Sequence, residues 1–198
     1  MGNQLALELH IPFQTIQTGK PTETVFDLDP PSFPEFSLAI KAALQVKAKF
    51  DHFELTSLVK TSGGKGIQIY IPLSFNTYSD DDTRVFTKFF CDFLCEQEPQ
   101  CFTTERLKKN RHNRLYLDYV QHQEGKTIIA SYSPRGNEMG LIATPLKWDK
   151  VCDTIKPNLF TVPSVLDRLY KQANPFRDFR LEIEDQKFAN VLNQLRNE

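Results

Sequence analysis

Two apolar runs, residues 55–61 and 67–73, are separated by only five residues, Ser62-Gly63-Gly64-Lys65-Gly66. Parallel neighbours need a crossover of a dozen or more residues, so these runs can pair only as an antiparallel hairpin. The flanking segments extend the constraint. Residues 24–29 read as a strand ended by Pro30-Pro31, since proline cannot donate to a ladder. Residues 33–53 place Phe36, Ile40, Ala43, Leu44, Val46 and Phe50 at helical spacing. A second helix is predicted over 79–97, opened by Ser79 and by Asp80, Asp81 and Asp82, whose charges favour the helix N-terminus. A strand at 115–120 completes the order β-α-β-β-α-β.

That order is the split βαβ unit of ferredoxin-like and RRM-like domains, so the predicted fold class is α+β, a mixed, mainly antiparallel sheet flanked by helices. Its first and last strands are neighbours, which brings Asp27, Asp29 and Asp118 together from distant parts of the chain. Elsewhere the pattern is less regular. A strand is expected near 127–132 and a helix over 163–172, with residues 178–198 forming a terminal helix or tail. Residues 3–10 read as the end of an amphipathic helix with no cap before it, which points to a chain truncated at its front.

Lys and Arg number 24 against 25 Asp and Glu, so no global electrostatic pull draws the chain to nucleic acid, and a polyanion must be held by a local patch. No apolar run reaches the ~18 residues of a membrane span, and the start resembles neither a signal peptide nor a myristoylation site. A soluble, cytoplasmic monomer is expected. Sixteen Phe fall largely at core spacing, and the four cysteines lack the spacing of a zinc site or a disulfide framework.

Asp27 and Asp29 share one face of their strand at a separation of ~7 Å. Two carboxylates so placed repel each other unless a divalent cation lies between them; the alternative is a solvated pair capping the Pro-Pro turn. An all-oxygen donor set suits Mg²⁺ or Mn²⁺, and two such ions can align an in-line displacement at phosphorus. Asp118 stands in an apolar strand and gains a partner if it shares that metal. Gly63 and its neighbours offer backbone amides, with Ser62 and Lys65, to an anion, although the spacing is not that of a P-loop. Arg106, Lys108, Lys109, Arg111 and Arg114 form the one dense basic run, a solvated face or a contact to a phosphate backbone. Arg135 is a fork donor for phosphate.

The succession Glu-Leu-His10, Val-Phe-Asp27-Leu-Asp29-Pro, Lys60-Thr-Ser62-Gly63-Gly64-Lys65-Gly66, Leu-Asp118-Tyr-Val-Gln121, Tyr132-Ser133-Pro134-Arg135 and Ala143-Thr-Pro145-Leu-Lys-Trp148 closely resembles the polymerase domain of bacterial DNA ligase D, in the archaeo-eukaryotic primase superfamily. The resemblance covers residues 3–180 and assigns 1–180 to a primase-like domain lacking its N-terminal part, with 181–198 as a terminal helix or tail. It implies a nucleotidyltransferase of non-homologous end joining that adds nucleotides, preferably ribonucleotides, to DNA 3′ ends at an overhang or gap, with Mn²⁺ favoured over Mg²⁺. Asp27, Asp29 and Asp118 then hold the catalytic metals. His10, Ser62, Gly63, Lys65, Gln68, Gln121 and Arg135 contact the NTP or dNTP, and the basic run meets DNA. Ku and a ligase module are the implied partners, and the bacterial nucleoid the place of work.

Three departures bear on the transfer. Gln68 stands where the family usually has histidine, His122-Gln123 replaces Asn-Arg with loss of a cation, and Ser131 replaces a proline. The family's front segment, which binds a 5′-phosphate, has no counterpart before Asn3. Two rival readings remain. One is a phosphohydrolase of the haloacid-dehalogenase type, whose nucleophile strand also carries D-x-D but continues with Gly-Thr rather than Pro30-Pro31. The other is a primase-like fragment that binds nucleic acid or a partner without turnover.

Overall fold

The computed structural model describes residues 7–178 and 187–197. Its strands are β1 (His10–Pro12), β2 (Glu23–Asp29), β3 (Leu58–Thr61), β4 (Ile67–Pro72), β5 (Phe102–Thr103), β6 (Leu115–Asp118), β7 (Thr127–Ile129) and β8 (Pro145–Leu146). The helices are α1 (Phe36–His52), α2 (Asp80–Gln97), α3 (Val162–Lys171) and α4 (Phe188–Asn197). Six strands form one sheet in the order β5-β6-β2-β4-β3-β8, and β1 pairs with β7 in a separate ribbon. Every pairing is antiparallel except β5 with β6. Its central four strands, β6-β2-β4-β3, reproduce the strand order of the split βαβ unit.

Side chains alternate between the two faces of a strand, and here the alternation separates core from site. Phe26, Leu28, Val59, Ile67, Ile69, Ile71, Leu115 and Leu117 are buried against α1 and α2. The phenylalanine excess resides in this layer: Phe26, Phe50, Phe86 and Phe90 pack with ring centroids 4.9 to 6.3 Å apart. Phe89 and Leu44, by contrast, face solvent, because each lies just outside the buried stripe of its helix. Ser79 and Asp82 form a reciprocal capping box that starts α2. Helix α4 docks on α2, with the Phe188 ring 4.4 Å from that of Phe86. The four cysteines are free, and Cys91 is buried.

The expected helix over 3–10 is corrected. Residues 1–6 lie outside the described residues, 7–9 have no regular structure, and His10 begins a strand whose partner is Ile129. The predicted strand 115–120 is also shorter. It ends at Asp118, whose own carboxylate accepts the Val120 N–H at 3.1 Å and turns the chain into a 3-10 helix, Tyr119–Gln121.

Candidate active site

The face of the sheet turned away from α1 and α2 carries a polar row. Asp118 on β6 lies directly across from Asp27 on β2, Asp27 across from Gln68 on β4, and Gln68 across from Lys60 on β3. Directly opposed residues share a face, so these four side chains cross four strands in a line. Asp29 and Tyr116 form the next pair along. A cleft of ≈ 370 Å³ opens at Asp27, Asp29 and Gln68, with walls that include Ser62, Lys65 and Arg135 together with Glu8, Phe33 and Asn137; Asp118, Lys60 and Tyr116 lie outside its lining.

Each carboxylate is held differently. Gln68 Nε2 donates to Asp27 Oδ1 at 3.1 Å, and Tyr70 OH donates to Gln68 Oε1 at 3.1 Å. The Asp27 pKa is nevertheless pushed up to about 6, by burial first and then by the neighbouring Asp29 and Asp118 charges. Asp118 Oδ1 accepts from Tyr116 OH at 3.1 Å as well as from Val120 N. Asp29 is taken by cations, Lys65 Nζ at 3.2 Å and Arg111 NH1 at 3.4 Å. The donor set therefore fits a hard divalent cation in chemistry, and Asp27 is the group whose ionisation such a cation would favour. As placed, the three carboxylates are not gathered on a common point, and among the described residues no three acidic, His or Cys side chains form a ready metal site. Closing round a cation requires Asp29 to exchange Lys65 and Arg111 for it.

The glycine turn forms the cleft's second wall. Gly63 has φ +70, and a Cβ there would meet Arg135 Cγ at 2.6 Å and the Ala143 nitrogen at 2.7 Å. Only glycine lets Arg135 lie over the turn. Ser62 Oγ accepts from the Gly64 and Gly66 amides, so the hydroxyl first shapes the turn. Lys65 Nζ also donates to the carbonyls of Pro30 and Pro31, tying the turn to the end of β2. His10 lies on β1 at the rim, its Nε2 3.1 Å from Glu8 Oε2. Gln121 is half-buried in the 3-10 helix after Asp118.

The basic run divides. Arg106, Lys108 and Lys109 are exposed, whereas Arg111 stacks 3.8 Å above the Tyr116 ring and reaches Asp29. Arg114 donates to the carbonyls of Arg111, Pro99 and Asn110.

Four residues of this region were not singled out from the sequence. Glu8 and Asn137 act through partners far away in the chain, and Tyr70 through Gln68, two residues before it on β4. Lys60, 1% exposed, donates to the Ile129 carbonyl at 2.8 Å and fastens the β1–β7 ribbon to the sheet; burial pushes its pKa down to about 7. Its signal was present, since a lysine between Val59 and Thr61 in an apolar strand must find a partner. His122 is buried too and is part of the framework.

Both neighbours of β2 run antiparallel to it, which excludes the parallel sheet of a haloacid-dehalogenase-type phosphohydrolase. A split βαβ sheet with carboxylates on the face turned away from its helices is the architecture of primase-like proteins. Comparison with known proteins narrows the class. The family description "LigD, primase-polymerase domain" matches residues 1–176. The "Bifunctional non-homologous end joining protein LigD" of Bacillus subtilis is 51% identical over 194 residues, which are 98% of this chain and 32% of the relative. The "Multifunctional non-homologous end joining protein LigD" of Mycolicibacterium smegmatis is 32% identical over 85% of this chain and 22% of its own length. A solved structure, "Polymerase Domain from Mycobacterium tuberculosis Ligase D in complex with DNA", superposes with TM-score 0.76 at 28% identity, covering 90% of this chain and 64% of that one. The chain belongs to the LigD primase-polymerase domain family. It spans about a third or less of the length of these curated relatives.

Proposed function

We propose that the chain is a metal-dependent nucleotidyltransferase that adds nucleotides, ribonucleotides by preference, to DNA 3′ ends at an overhang or gap during non-homologous end joining. The observation that carries this reading is the placement of Asp27, Asp29 and Asp118 on one face of two paired strands, with Asp27 and Asp29 lining a cleft walled by the glycine turn, Lys65 and Arg135. Asp27, Asp29 and Asp118 would hold a divalent metal, Mn²⁺ or Mg²⁺, which when bound would supply charge neutralisation for phosphate and Lewis-acid activation of a 3′ hydroxyl.

The chain's own residues do the rest. Gln68 fixes the Asp27 carboxylate from behind, and Tyr116 fixes Asp118. Lys65 and Arg135, with Ser62, Gly63 and His10, bind and orient the triphosphate, and Gln121 lies beside the metal strand. The exposed Arg106, Lys108 and Lys109 are assigned to the DNA backbone, with Arg111 and Arg114 shaping the loop that presents them. Residues 1–180 are assigned to the polymerase unit and 181–198 to a terminal element. The DNA complex of the M. tuberculosis neighbour supports a DNA partner, and the end-joining names of the relatives support Ku and a ligase module as associates in a bacterial cytoplasm. Among the described residues no helix is long and apolar enough to cross a membrane.

The direct test is extension of a labelled primer with a 3′ overhang or gap, in Mn²⁺ and in Mg²⁺, with NTP or dNTP. DNA binding without extension under all these conditions would sink the polymerase reading in favour of a non-catalytic binding fragment. Lys65→Ala is expected to raise the apparent nucleotide KM about tenfold, the worth of one charge-assisted contact. An equal loss of DNA affinity would refute its assignment to the triphosphate. Gln68→His is expected to lower the nucleotide KM about threefold by adding a donor that can carry charge. An unchanged KM would show that the neutral residue at this position does not weaken the site.

A further inference from the structure

Glu8 is an acid in a cleft assigned to an anion, and its three partners are all donors. Its Oε1 accepts the Gly136 amide at 2.9 Å and pairs with Arg135 Nε at 3.2 Å, while Oε2 faces His10 Nε2 at 3.1 Å. The Gly136 hydrogen bond is the first of the influences that hold the Glu8 carboxyl below its ordinary pKa, so it is ionised at neutral pH. The residue that follows it, Leu9, is pinned at both its amide and its carbonyl. Leu9 N donates to Ser133 Oγ at 2.8 Å, and Ala130 N donates to the Leu9 carbonyl at 2.8 Å.

The geometry at Arg135 decides what such a carboxylate does. The arginine stem lies against Gly63, where a Cβ would come within 2.6 Å of Cγ, so it packs directly on the turn. Glu8 engages Nε, the inner edge of the guanidinium, and thereby fixes the rotation of the planar fork. Its two terminal nitrogens are then the edge available to a phosphate, and a fork fixed in advance loses less freedom on binding. Asn137 Nδ2, donating to the Gly63 carbonyl at 3.1 Å, locks the same loop to the glycine turn.

We propose that Glu8 is a positioning residue for triphosphate binding: one carboxylate, reaching from the segment before β1, sets Arg135, the Gly136 amide and His10 in the arrangement that receives the phosphates. The assignment rests on the nucleotide cleft of the proposed function. It opposes the other reading of a carboxylate in this place, a plug that phosphate must displace, and the two predict changes of opposite sign.

The test is calorimetric titration of the chain with ATP and MnCl₂ without DNA, alongside steady-state extension. Glu8→Ala is expected to weaken ATP binding and raise KM about tenfold with kcat nearly unchanged, and Glu8→Gln, which keeps an acceptor for Gly136 and Arg135, to stay within about threefold of the parent. In an Arg135→Ala background Glu8→Ala is expected to add little, because the two act as a unit. A merely structural role would lower the melting temperature, leave the affinity of the folded protein alone and gain nothing from glutamine. Tighter or equal ATP binding by Glu8→Ala overturns the assignment, as does a full further loss in the Arg135→Ala background. If the unaltered chain binds no ATP, the nucleotide cleft itself is wrong and the role of Glu8 falls with it.

Discussion

Asp27→Asn is expected to abolish primer extension, by at least ~10³-fold, and at the same time to stabilise the protein in the absence of metal. The first effect follows from removing the central carboxylate of the row, which faces Asp118 on one side and Gln68 on the other. The second follows from its environment. Burial together with the Asp29 and Asp118 charges raises the Asp27 pKa from 3.8 to about 6. Below about pH 4 the group is protonated in folded and unfolded chains alike, and its contribution to stability is complete. As pH rises through about 6, the folded protein must ionise it beside two other carboxylates, and that contribution is lost. At ~1.4 kcal/mol per tenfold change the rise corresponds to about 3 kcal/mol, reduced to about 1–3 kcal/mol by the partial access of the cleft to solvent. Asparagine keeps the oxygen that Gln68 Nε2 donates to and never ionises. Urea unfolding without metal should therefore show variant and parent equal near pH 4 and the variant more stable near pH 7.5. Added Mn²⁺ should stabilise the parent and leave the variant unchanged. A variant less stable than the parent at neutral pH, or one that still extends a primer, would contradict this account of the site.

The placement of Asp27, Asp29 and Asp118 on one sheet face was legible because it follows from topology and parity alone. A five-residue link forces the β3–β4 hairpin, the split βαβ order places β6 beside β2, and the i, i+2 spacing of Asp27 and Asp29 puts them on one face. The β1–β7 ribbon was not legible. Leu5 and Leu9 satisfy a helical spacing while Leu7, Leu9 and Ile11 satisfy a period of two, so the same residues fit either element. What decides between them is a partner more than a hundred residues away, Ile129 opposite His10. Lost with the ribbon were the ties that depend on it, Glu8 to Arg135 and Lys60 to Ile129. The end of β6 was missed for a local reason. Asp118 was read as a ligand in a longer strand, but its carboxylate also caps the following turn and so ends the pairing.

His122→Ala is expected to lower stability by about 3 kcal/mol, a fall in melting temperature of roughly 6–12 °C for a chain of this size. β6 pairs with β2 only from Asp27 onward, so Val25, two residues earlier, has no strand beside it on that edge. The imidazole of His122 takes the place of one. Its Nε2 lies 2.8 Å from the Val25 carbonyl and 3.3 Å from both the Val25 nitrogen and Thr24 Oγ1, with the Phe13 ring tilted against it at 5.4 Å. Burial, only partly opposed by the Val25 hydrogen bond, pushes the His122 pKa down to about 4, so the ring is neutral with its proton on Nε2, donating to the carbonyl. Alanine removes that donor, leaves a buried carbonyl unpaired and opens a cavity beside Phe13. The pH dependence separates this role from simple packing. Because the folded pKa lies below the ordinary 6.5, His122 gives its full contribution above about pH 6.5, and that contribution shrinks as pH falls toward 4 and the unfolded chain takes up a proton that the folded one refuses. Unfolding of parent and variant should differ most at about pH 7.5, and the gap should narrow by about pH 5. A gap that stays constant across that range would mean that the ring contributes only its volume, and that the edge of β2 nearest Asp27 is held by something other than this hydrogen bond.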